Sequence, residues 1–247
     1  MKKWIALCII SIVCIATAIF VVGTLKNWAD KCATVVRLRQ ICLGLSNYRD
    51  NNLLFARDRG YPHSEVFYEG NSIGSWRYAL LPYLASYGNE LNVITTTPWQ
   101  NTRFADVPTK NGLDFYRFTN HVNDEGYLTT NILAVIGPDT VFDSEVPGYF
   151  PNSILLLAVG DTQIPWGMPG DFEVDEHGNP VNEWPPPLFD SWYGVVLGGG
   201  DIYLLDGKIP KEKLQPFLTK TNAKNLNPEK EWERYILTKS QVWPDNH

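Results

Sequence analysis

Cysteine is absent from most of this 247-residue chain. All four cysteines, Cys8, Cys14, Cys32 and Cys42, lie before residue 43. A disulfide scaffold is therefore excluded for the remainder of the chain. No two cysteines have C-x-x-C spacing, so a zinc site built from cysteines is not expected.

Two phosphate-binding motifs are also missing. The triple glycine Gly198–Gly200 is not part of a G-x-x-x-x-G-K-[ST] or a G-x-G-x-x-G motif. The residues that follow it begin with the anionic Asp201 and are typical of a strand, whereas a phosphate site needs the N-terminus of a helix. We therefore predict a hairpin turn there and no nucleotide binding.

Charge is distributed unevenly along the chain. Residues 1–60 carry nine Lys or Arg and three Asp or Glu, whereas residues 61–247 carry twelve and twenty-four. An acidic body is poorly suited to contact nucleic-acid phosphates, so no nucleic-acid partner is expected. The four histidines are isolated, and the body has no cysteine nucleophile. The sequence thus predicts that the protein is not an enzyme; only composition favours the opposing hypothesis, an envelope hydrolase that uses paired carboxylates.

One acidic loop offers candidate metal ligands. Asp171, Asp175 and Glu176 lie close together in a segment rich in proline and glycine. Calcium binds several oxygen ligands on a flexible loop, although this stretch lacks the EF-hand spacing. These three residues are the calcium candidates, and a solvated acidic loop is the other interpretation. Tryptophans near this loop could stack on a glycan or cover the edge of a sheet: Trp166, Trp184 and Trp192. No other cofactor is expected.

The N-terminus carries one long uncharged segment. Residues Trp4 to Leu25 form an apolar run of about 22 residues, close to the roughly 20 that a membrane-spanning helix needs. We predict an uncleaved transmembrane anchor over residues 1–25. The alternative is a signal peptide cleaved after Ala16-Thr17-Ala18. Counting Lys and Arg on the two sides places the following chain in the cytoplasm.

An amphipathic helix is predicted to continue the anchor over residues 26–58. Apolar side chains recur there every three or four residues, and no proline occurs before Pro62. The stripe consists of Trp28, Cys32, Val35, Leu38, Cys42, Leu45 and Tyr48.

The body is predicted to span residues 59–220 and to be rich in β-structure with long loops. Strands are expected at residues 114–122, 129–137, 153–160, 192–197 and 201–205, and the third of these reads as a central, buried strand. Residues 75–86 read either as two short helical pieces or as one helix kinked at Pro82. Residues 221–247 are expected to form a polar tail.

Several stretches together resemble a known family. The segments RQICLGLSNYRDN at 39–51, GSWRYALLPYL at 74–84, PWQN at 98–101, SILLLAVGDTQIPWGMPGD at 153–171 and VVLGGGDIYLLDGKIP at 195–210 are similar, in this order, to motifs of planctomycete pilin-like proteins. That family is named for a histidine followed by nine residues and Asp-Gly. Here Asp206-Gly207 provides the dipeptide, and Val196 stands in place of the histidine.

The resemblance implies a type IV pilin-like, α+β architecture, similar to that of type II secretion pseudopilins. A long N-terminal helix, membrane-embedded in its first half, would pack on an antiparallel sheet. It also implies a structural or assembly protein whose body lies outside the cytoplasm and whose subunits associate through their N-terminal helices. The chain lacks the Gly-Phe-Thr-Leu-Ile-Glu cleavage motif of pilin precursors, since its first glutamate is Glu65. The alternative function is an anchored envelope module that binds calcium or a glycan.

Overall fold

The structure consists of one long helix and a mixed α+β body. The computed structural model describes residues 2–54, 61–84, 98–99, 116–118, 122–142 and 150–242, and within the first helix it describes side chains from residue 11 to 51. The helices are α1 (Lys2–Leu54), α2 (Trp76–Leu84), α3 (Lys211–Leu214), α4 (Lys220–Ala223) and α5 (Pro228–Trp232), with 3-10 turns at Gln215–Phe217 and Glu233–Tyr235. The strands are β1 (Glu65–Tyr68), β2 (Asn71–Ser75), β3 (Ile132–Ile136), β4 (Ile154–Ala158), β5 (Phe172–Glu173), β6 (Trp192–Leu197), β7 (Asp201–Asp206) and β8 (Ile236–Gln241).

Helix α1 is continuous over 53 residues, as the absence of proline predicts. At 1.5 Å per residue it is about 80 Å long, far longer than the body's strands. Helix α2 keeps Pro82 inside its nine residues, so of the two alternatives predicted for this segment a single helix is the one that forms.

Six strands form the main sheet in the order β5-β3-β4-β6-β7-β8. Neighbouring strands are antiparallel except at one edge, where β5 pairs parallel to β3. The expectation of an antiparallel sheet is thus wrong at that edge. The reason is that the chain after β4 reverses direction but passes β3 before it pairs, so β5 runs antiparallel to β4 and parallel to β3.

Both faces of the sheet are covered. Leu156, Val196 and Ile202 pack in a cluster with α1 and α2. Leu157, Val195 and Tyr203 point into a second cluster with the C-terminal helices. This double burial explains why β4 and β6 read as continuous apolar runs rather than alternating ones. Val196, which occupies the position of the family's histidine, is fully buried on the α1 side.

The C-terminal segment is not a polar tail over its described part. Helices α4 and α5 and strand β8 all lie after residue 219 and belong to the body. Trp232 of α5 is fully buried between Phe217 and Tyr203, with ring centroids 4.4 and 5.4 Å away. The segment is polar because one side of it faces solvent, while a few large apolar residues cover the second face of the sheet.

The strand expected over residues 114–122 is absent from its described positions. Residues 116–118 form a 3-10 turn and a bend, and Val122 makes only an isolated bridge to Leu128. The remaining positions of that prediction lie outside the described residues. The fully buried Tyr116 explains the misleading apolar pattern, because its side chain packs on Trp76 from a loop.

The triple glycine forms the predicted hairpin turn. The N–H groups of Gly198, Gly199 and Gly200 donate to the carbonyls of Ser153, Pro151 and Leu197 at 2.8, 3.1 and 2.9 Å. All three amides therefore already have partners within the protein. Only Gly200 has a positive φ, of 88°, which fits the turn to glycine.

The second half of α1 packs closely on the sheet at Gly194 in β6. A Cβ atom at this position would lie 2.8 Å from the Ala158 Cβ atom and 3.0 Å from Leu38 Cδ1. The missing side chain of Gly194 is thus what allows the helix to approach the middle of the sheet. By contrast, a Cβ atom at Gly23 of the same helix would meet nothing within 4 Å.

This contact predicts that Gly194→Ala lowers the free energy of unfolding by about 1–3 kcal/mol, because an added methyl group overpacks the seam. Chemical denaturation of the full chain in detergent micelles, followed by tryptophan fluorescence, measures the change. The matched variant Gly23→Ala adds the same methyl group in open space and should lose no stability. Equal behaviour of the two variants would contradict close packing at Gly194.

Candidate functional site

The first half of α1 is exposed on every side. From residue 11 to Ala29 each side chain of the helix is solvent-accessible, including Phe20 at 71% and Trp28 at 67%. Within the described residues, this is the one helix long and apolar enough to cross a membrane, and none of its apolar window is buried by the rest of the chain. The exposure distinguishes it from the core helix of a globular domain, whose apolar face is covered. Residues 11–29 are called the exposed half of α1.

Polar side chains within the exposed half bond to their own helix. The Thr17 hydroxyl donates to the Val13 carbonyl, and the Thr24 hydroxyl donates to the Val21 carbonyl, both at 2.8 Å. In hydrocarbon, a hydroxyl without a partner costs free energy. These internal bonds therefore make the two threonines compatible with a lipid environment.

The helix contacts the body at Lys31. Its ammonium group lies 5.4 Å from the centre of the Trp192 ring at the start of β6. One turn later, Val35 packs against the buried cluster of Leu188, Trp192 and Leu204. From this point on, one face of the helix is covered by the sheet.

Two arginines extend this junction. The Arg37 guanidinium lies 5.1 Å from the Phe118 ring and donates to the Arg117 carbonyl. The Arg39 Nη2 atom donates to the Ser240 hydroxyl at 2.7 Å and to the Gln241 carbonyl at 3.1 Å. Three of the cations that follow the apolar segment, Lys31, Arg37 and Arg39, thus make structural contacts with the body.

These contacts orient the sheet relative to the helix. Trp192 lies beside Lys31, and Gly194 lies beside Thr34 and Leu38, so β6 runs away from the exposed half. The end of the sheet at Trp192 is therefore nearest the exposed half and is called the near end. The glycine turn that ends at Gly200 marks the opposite, far end.

The outward face of α1 carries a further apolar stripe. Val36 and Leu43 are 54% and 45% exposed, and Cys32 is an exposed free thiol. At 100° per residue these positions lie on the side of the helix opposite the buried Leu38 and Leu45. The stripe continues the exposed half into the docked half and is called the outer stripe, residues Cys32, Val36 and Leu43.

Asp171, the first calcium candidate, is a buried structural residue. Its side chain is fully buried, and its Oδ1 atom accepts hydrogen bonds from Trp76 Nε1 at 3.0 Å, Arg77 Nη2 at 2.8 Å and the Ala134 N–H at 2.7 Å. Burial raises the pKa of Asp171, and the Arg77 cation opposes that rise. Arg77 in turn donates to the Ile132 carbonyl, so the pair links α2 to β3.

The other two calcium candidates do not join Asp171. The Asp175 carboxylate accepts from the N–H groups of His177 and Asn179 and from the Asn179 side-chain amide, and these bonds lower its pKa. Glu176 lies 3.5 Å from the His177 ring nitrogen at the surface. Among the described residues, no three His, Cys, Asp or Glu side chains form a group that could hold a metal ion. The structure therefore does not bring together Asp171, Asp175 and Glu176, the residues predicted to bind calcium.

The three tryptophans considered as a sugar platform pack within the protein. Trp166 stacks on Tyr78 at 5.1 Å with nearly parallel rings. Trp184 lies 4.7 Å from Phe172, and Trp192 is buried. Trp184 thus covers the edge strand β5, as the alternative predicts, whereas Trp166 packs on α2 and Trp192 lies in β6 in the middle of the sheet.

The prediction that the protein is not an enzyme overlooks one match to a catalytic motif. Residues 70–74, GNSIG, have the G-x-S-x-G spacing of serine hydrolases. That motif works when the serine lies on a sharp turn between a strand and a helix. Here Ser72 lies within β2 and is paired with Phe67 of β1, so the required turn is absent.

A half-buried lysine has a lowered pKa that the sequence does not reveal. The ammonium group of Lys211 lies 3.8 Å from the Tyr193 ring centre and 5.2 Å from that of Trp184, and it contacts the Tyr193 hydroxyl. That hydroxyl donates to the Pro185 carbonyl at 3.0 Å. Burial lowers the pKa of Lys211 from 10.5 to about 8. The position after Pro210 gives no sign of this, because the aromatic neighbours are distant in sequence.

The lowered pKa predicts that Lys211 adds stability to the body as pH rises above 8. Between pH 8 and 10.5 the unfolded chain binds more protons at Lys211 than the folded chain does, so this lysine makes the free energy of unfolding increase. Buried Cys42, whose pKa is raised to about 12, acts in the opposite direction, because the thiol of the unfolded chain loses its proton first. Denaturation of the full chain and its variants in micelles from pH 7 to 9 therefore compares slopes. Lys211→Met should make the slope less positive, whereas Lys208→Met, at an exposed lysine nearby, should leave it unchanged. A slope unaffected by Lys211→Met would contradict the prediction.

Comparison with known proteins identifies no relative of this chain. No protein-family model, curated protein or solved structure matches the chain.

Proposed function

We propose that the chain is a membrane-anchored, pilin-like structural or assembly subunit whose body lies outside the cytoplasm. The observation that carries this proposal is the division of α1. Its first half is apolar and exposed all round, while its second half forms part of the core of the body. The two halves of α1 therefore have different surroundings: lipid around the first half, and the sheet of the body against the second half.

Hydrophobic transfer supports a lipid environment for the exposed half. Large apolar side chains such as Ile19, Phe20 and Val22 are 65–71% exposed there. Each gains about 1.5–3 kcal/mol when moved fully out of water, so an aqueous environment is strongly disfavoured for the whole segment. Cleavage after Ala18 would still leave residues 19–29 exposed on a protruding helix. An uncleaved anchor fits this arrangement better than a cleaved signal peptide.

The basic residues after the apolar segment bear on its orientation. A count of Lys and Arg alone favours a cytoplasmic body. Arg37 and Arg39 bond to the body, and Lys31 lies over a tryptophan ring, so these cations have a structural reason to be present. The proposal therefore places the body outside the cytoplasm, the location implied by the pilin-like resemblance.

Self-association through α1 is the second part of the proposal. The outer stripe extends the apolar surface of the helix beyond the length that lipid covers. Two subunits side by side in a membrane could bury this stripe against each other without moving the sheet, since it lies opposite the docked face. This is the arrangement expected of subunits that assemble through N-terminal helices.

Cys32 provides a native reporter of that association. In a chain carrying Cys8→Ser and Cys14→Ser, Cys32 is the exposed thiol of α1, while Cys42 is buried and burial raises its pKa to about 12. Mild oxidation of native membranes should then produce a disulfide-linked dimer on non-reducing gels. Leu43→Asp should reduce the dimer several-fold, because a charge disrupts the outer stripe.

Two controls make this experiment decisive. Cys32→Ser should abolish the dimer, and Ala33→Asp, which adds the same charge at an exposed site beside the stripe, should preserve it. Only monomer in the Cys8→Ser, Cys14→Ser chain, or equal loss with both aspartates, would contradict association through the outer stripe.

The location of the body is tested separately at Val181, which is 55% exposed on the long loop. Val181→Cys in a chain whose Cys8, Cys14 and Cys32 are serine should react with a membrane-impermeant maleimide in sealed right-side-out vesicles. Reaction only after permeabilisation would place the body in the cytoplasm. The parent chain without Val181→Cys is the control for labelling of buried Cys42.

A further inference from the structure

A tight turn at the near end of the sheet has an unusual residue at its tip. Leu188 and Trp192 form an isolated antiparallel bridge, and the Ser191 N–H donates to the Leu188 carbonyl at 3.1 Å. The two central residues, Phe189 and Asp190, have φ values of 51° and 53°. This left-handed pair is typical of a type I′ turn, which favours Asn-Gly. A phenylalanine there is strained, because its Cβ atom clashes with its own backbone.

Phe189 is also incompletely buried. Its ring packs against Trp192, with centroids 5.3 Å apart, yet 38% of the residue stays exposed. Strain and exposure together are not explained by packing of the body alone. Strained residues are retained where the surrounding structure or a binding partner gains from the resulting geometry.

The position of the turn indicates what Phe189 faces. The turn precedes Trp192 in the chain, and β6 runs away from the exposed half of α1, so residues 189–191 lie on the side of Trp192 toward the exposed half. Trp28, 67% exposed, lies one helical turn before Lys31, which covers Trp192. Phe189 and Trp28 are thus two exposed aromatic residues at the same end of the body.

Distances along α1 place the near end of the sheet at the surface of a bilayer. Lys31 follows Leu25, the last residue of the apolar segment, by six residues, or about 9 Å of helix rise. The polar zone on each side of the hydrocarbon is about 5–8 Å thick. Trp192 beside Lys31 therefore lies at the outer edge of that zone, and the turn extends from it toward the hydrocarbon.

We infer that the turn of residues 188–192 is a second membrane contact, in which Phe189 enters the lipid interface beside Trp28. The inference rests on the proposed anchoring of α1 in a membrane. The contact is aromatic rather than electrostatic, because the exposed charges near the tip, Asp190 and Lys208, are of opposite sign. It should therefore form on neutral lipid. Its consequence is a fixed tilt of the sheet relative to the membrane.

A spin label at Ser191 tests the contact. The full chain carries Cys8→Ser, Cys14→Ser, Cys32→Ser and Ser191→Cys and is reconstituted into phosphatidylcholine vesicles. Flotation of the vesicles reports the anchor, and collision of the label with oxygen and with a water-soluble nickel complex reports the turn. We expect flotation together with an oxygen-to-nickel accessibility ratio several-fold above that of a label at Val181→Cys. Val181 is a suitable reference because its N–H bonds to Glu173, which pairs with Ile136 at the far end.

Phe189→Asn isolates the aromatic ring. Asparagine tolerates the left-handed conformation, so the variant should fold with unchanged circular dichroism and should still float. Its Ser191 label should return to the ratio seen at Val181→Cys. Val181→Asn, combined with the Ser191 label, removes an exposed apolar residue elsewhere and should leave the interfacial ratio intact.

The outcomes separate the two proposals. Flotation with an aqueous ratio at Ser191 overturns the lipid contact and leaves the anchor standing. Failure to float overturns both. Protection of the label from oxygen and nickel alike indicates contact with protein, and an unchanged ratio in Phe189→Asn excludes the ring as the cause; either result overturns the inference.

Discussion

The seam between α1 and the sheet at Gly194 is the constraint on which the other positions depend. Because β6 has no side chain there, Leu38 can approach Ala158 and the helix lies directly against the middle strands. The helix is rigid and continuous, so this one contact determines which edges and turns of the body lie near its exposed half. Any surface role assigned to the near end or to the outer stripe follows from that geometry.

The sequence predicts local structure well where burial is continuous. The apolar runs at β4, β6 and β7 and the glycines between the last two predict both the strands and their hairpin. It fails where the deciding contact is distant: β8 pairs with β7 only after a polar stretch of about thirty residues, and β5 reaches β3 across the long loop. From their composition these segments are predicted to be a tail and a loop. Their few apolar residues can be recognised as core residues only when the sheet on which they pack is known.

The acidic loop shows that the prediction of a binding site from sequence has the same limitation. Asp171, Asp175 and Glu176 look equivalent in sequence, yet Asp171 is buried against Arg77, which lies 94 residues earlier, and Asp175 caps its own turn. The partner that separates them cannot be identified from spacing. Arg77 itself sits in an apolar segment, where a cation has to find an anion or carbonyl groups, so its presence was the available signal for a buried pair. The position of Arg77 does not indicate which of the chain's acidic residues pairs with it.

A single helix through a membrane restrains the body only weakly, since the helix can rotate about its own axis and change its tilt in the bilayer. Association along the outer stripe would require that neighbouring bodies present the same face of α1 at the same height. A second contact at the near end restricts rotation, because the turn of residues 188–192 lies to one side of the helix axis. The same contact leaves the outer stripe free, as that stripe lies opposite the sheet. Strain at Phe189 is then the consequence of placing a large aromatic ring at the tip of a tight turn, where glycine or asparagine would fold more easily but would not reach the lipid.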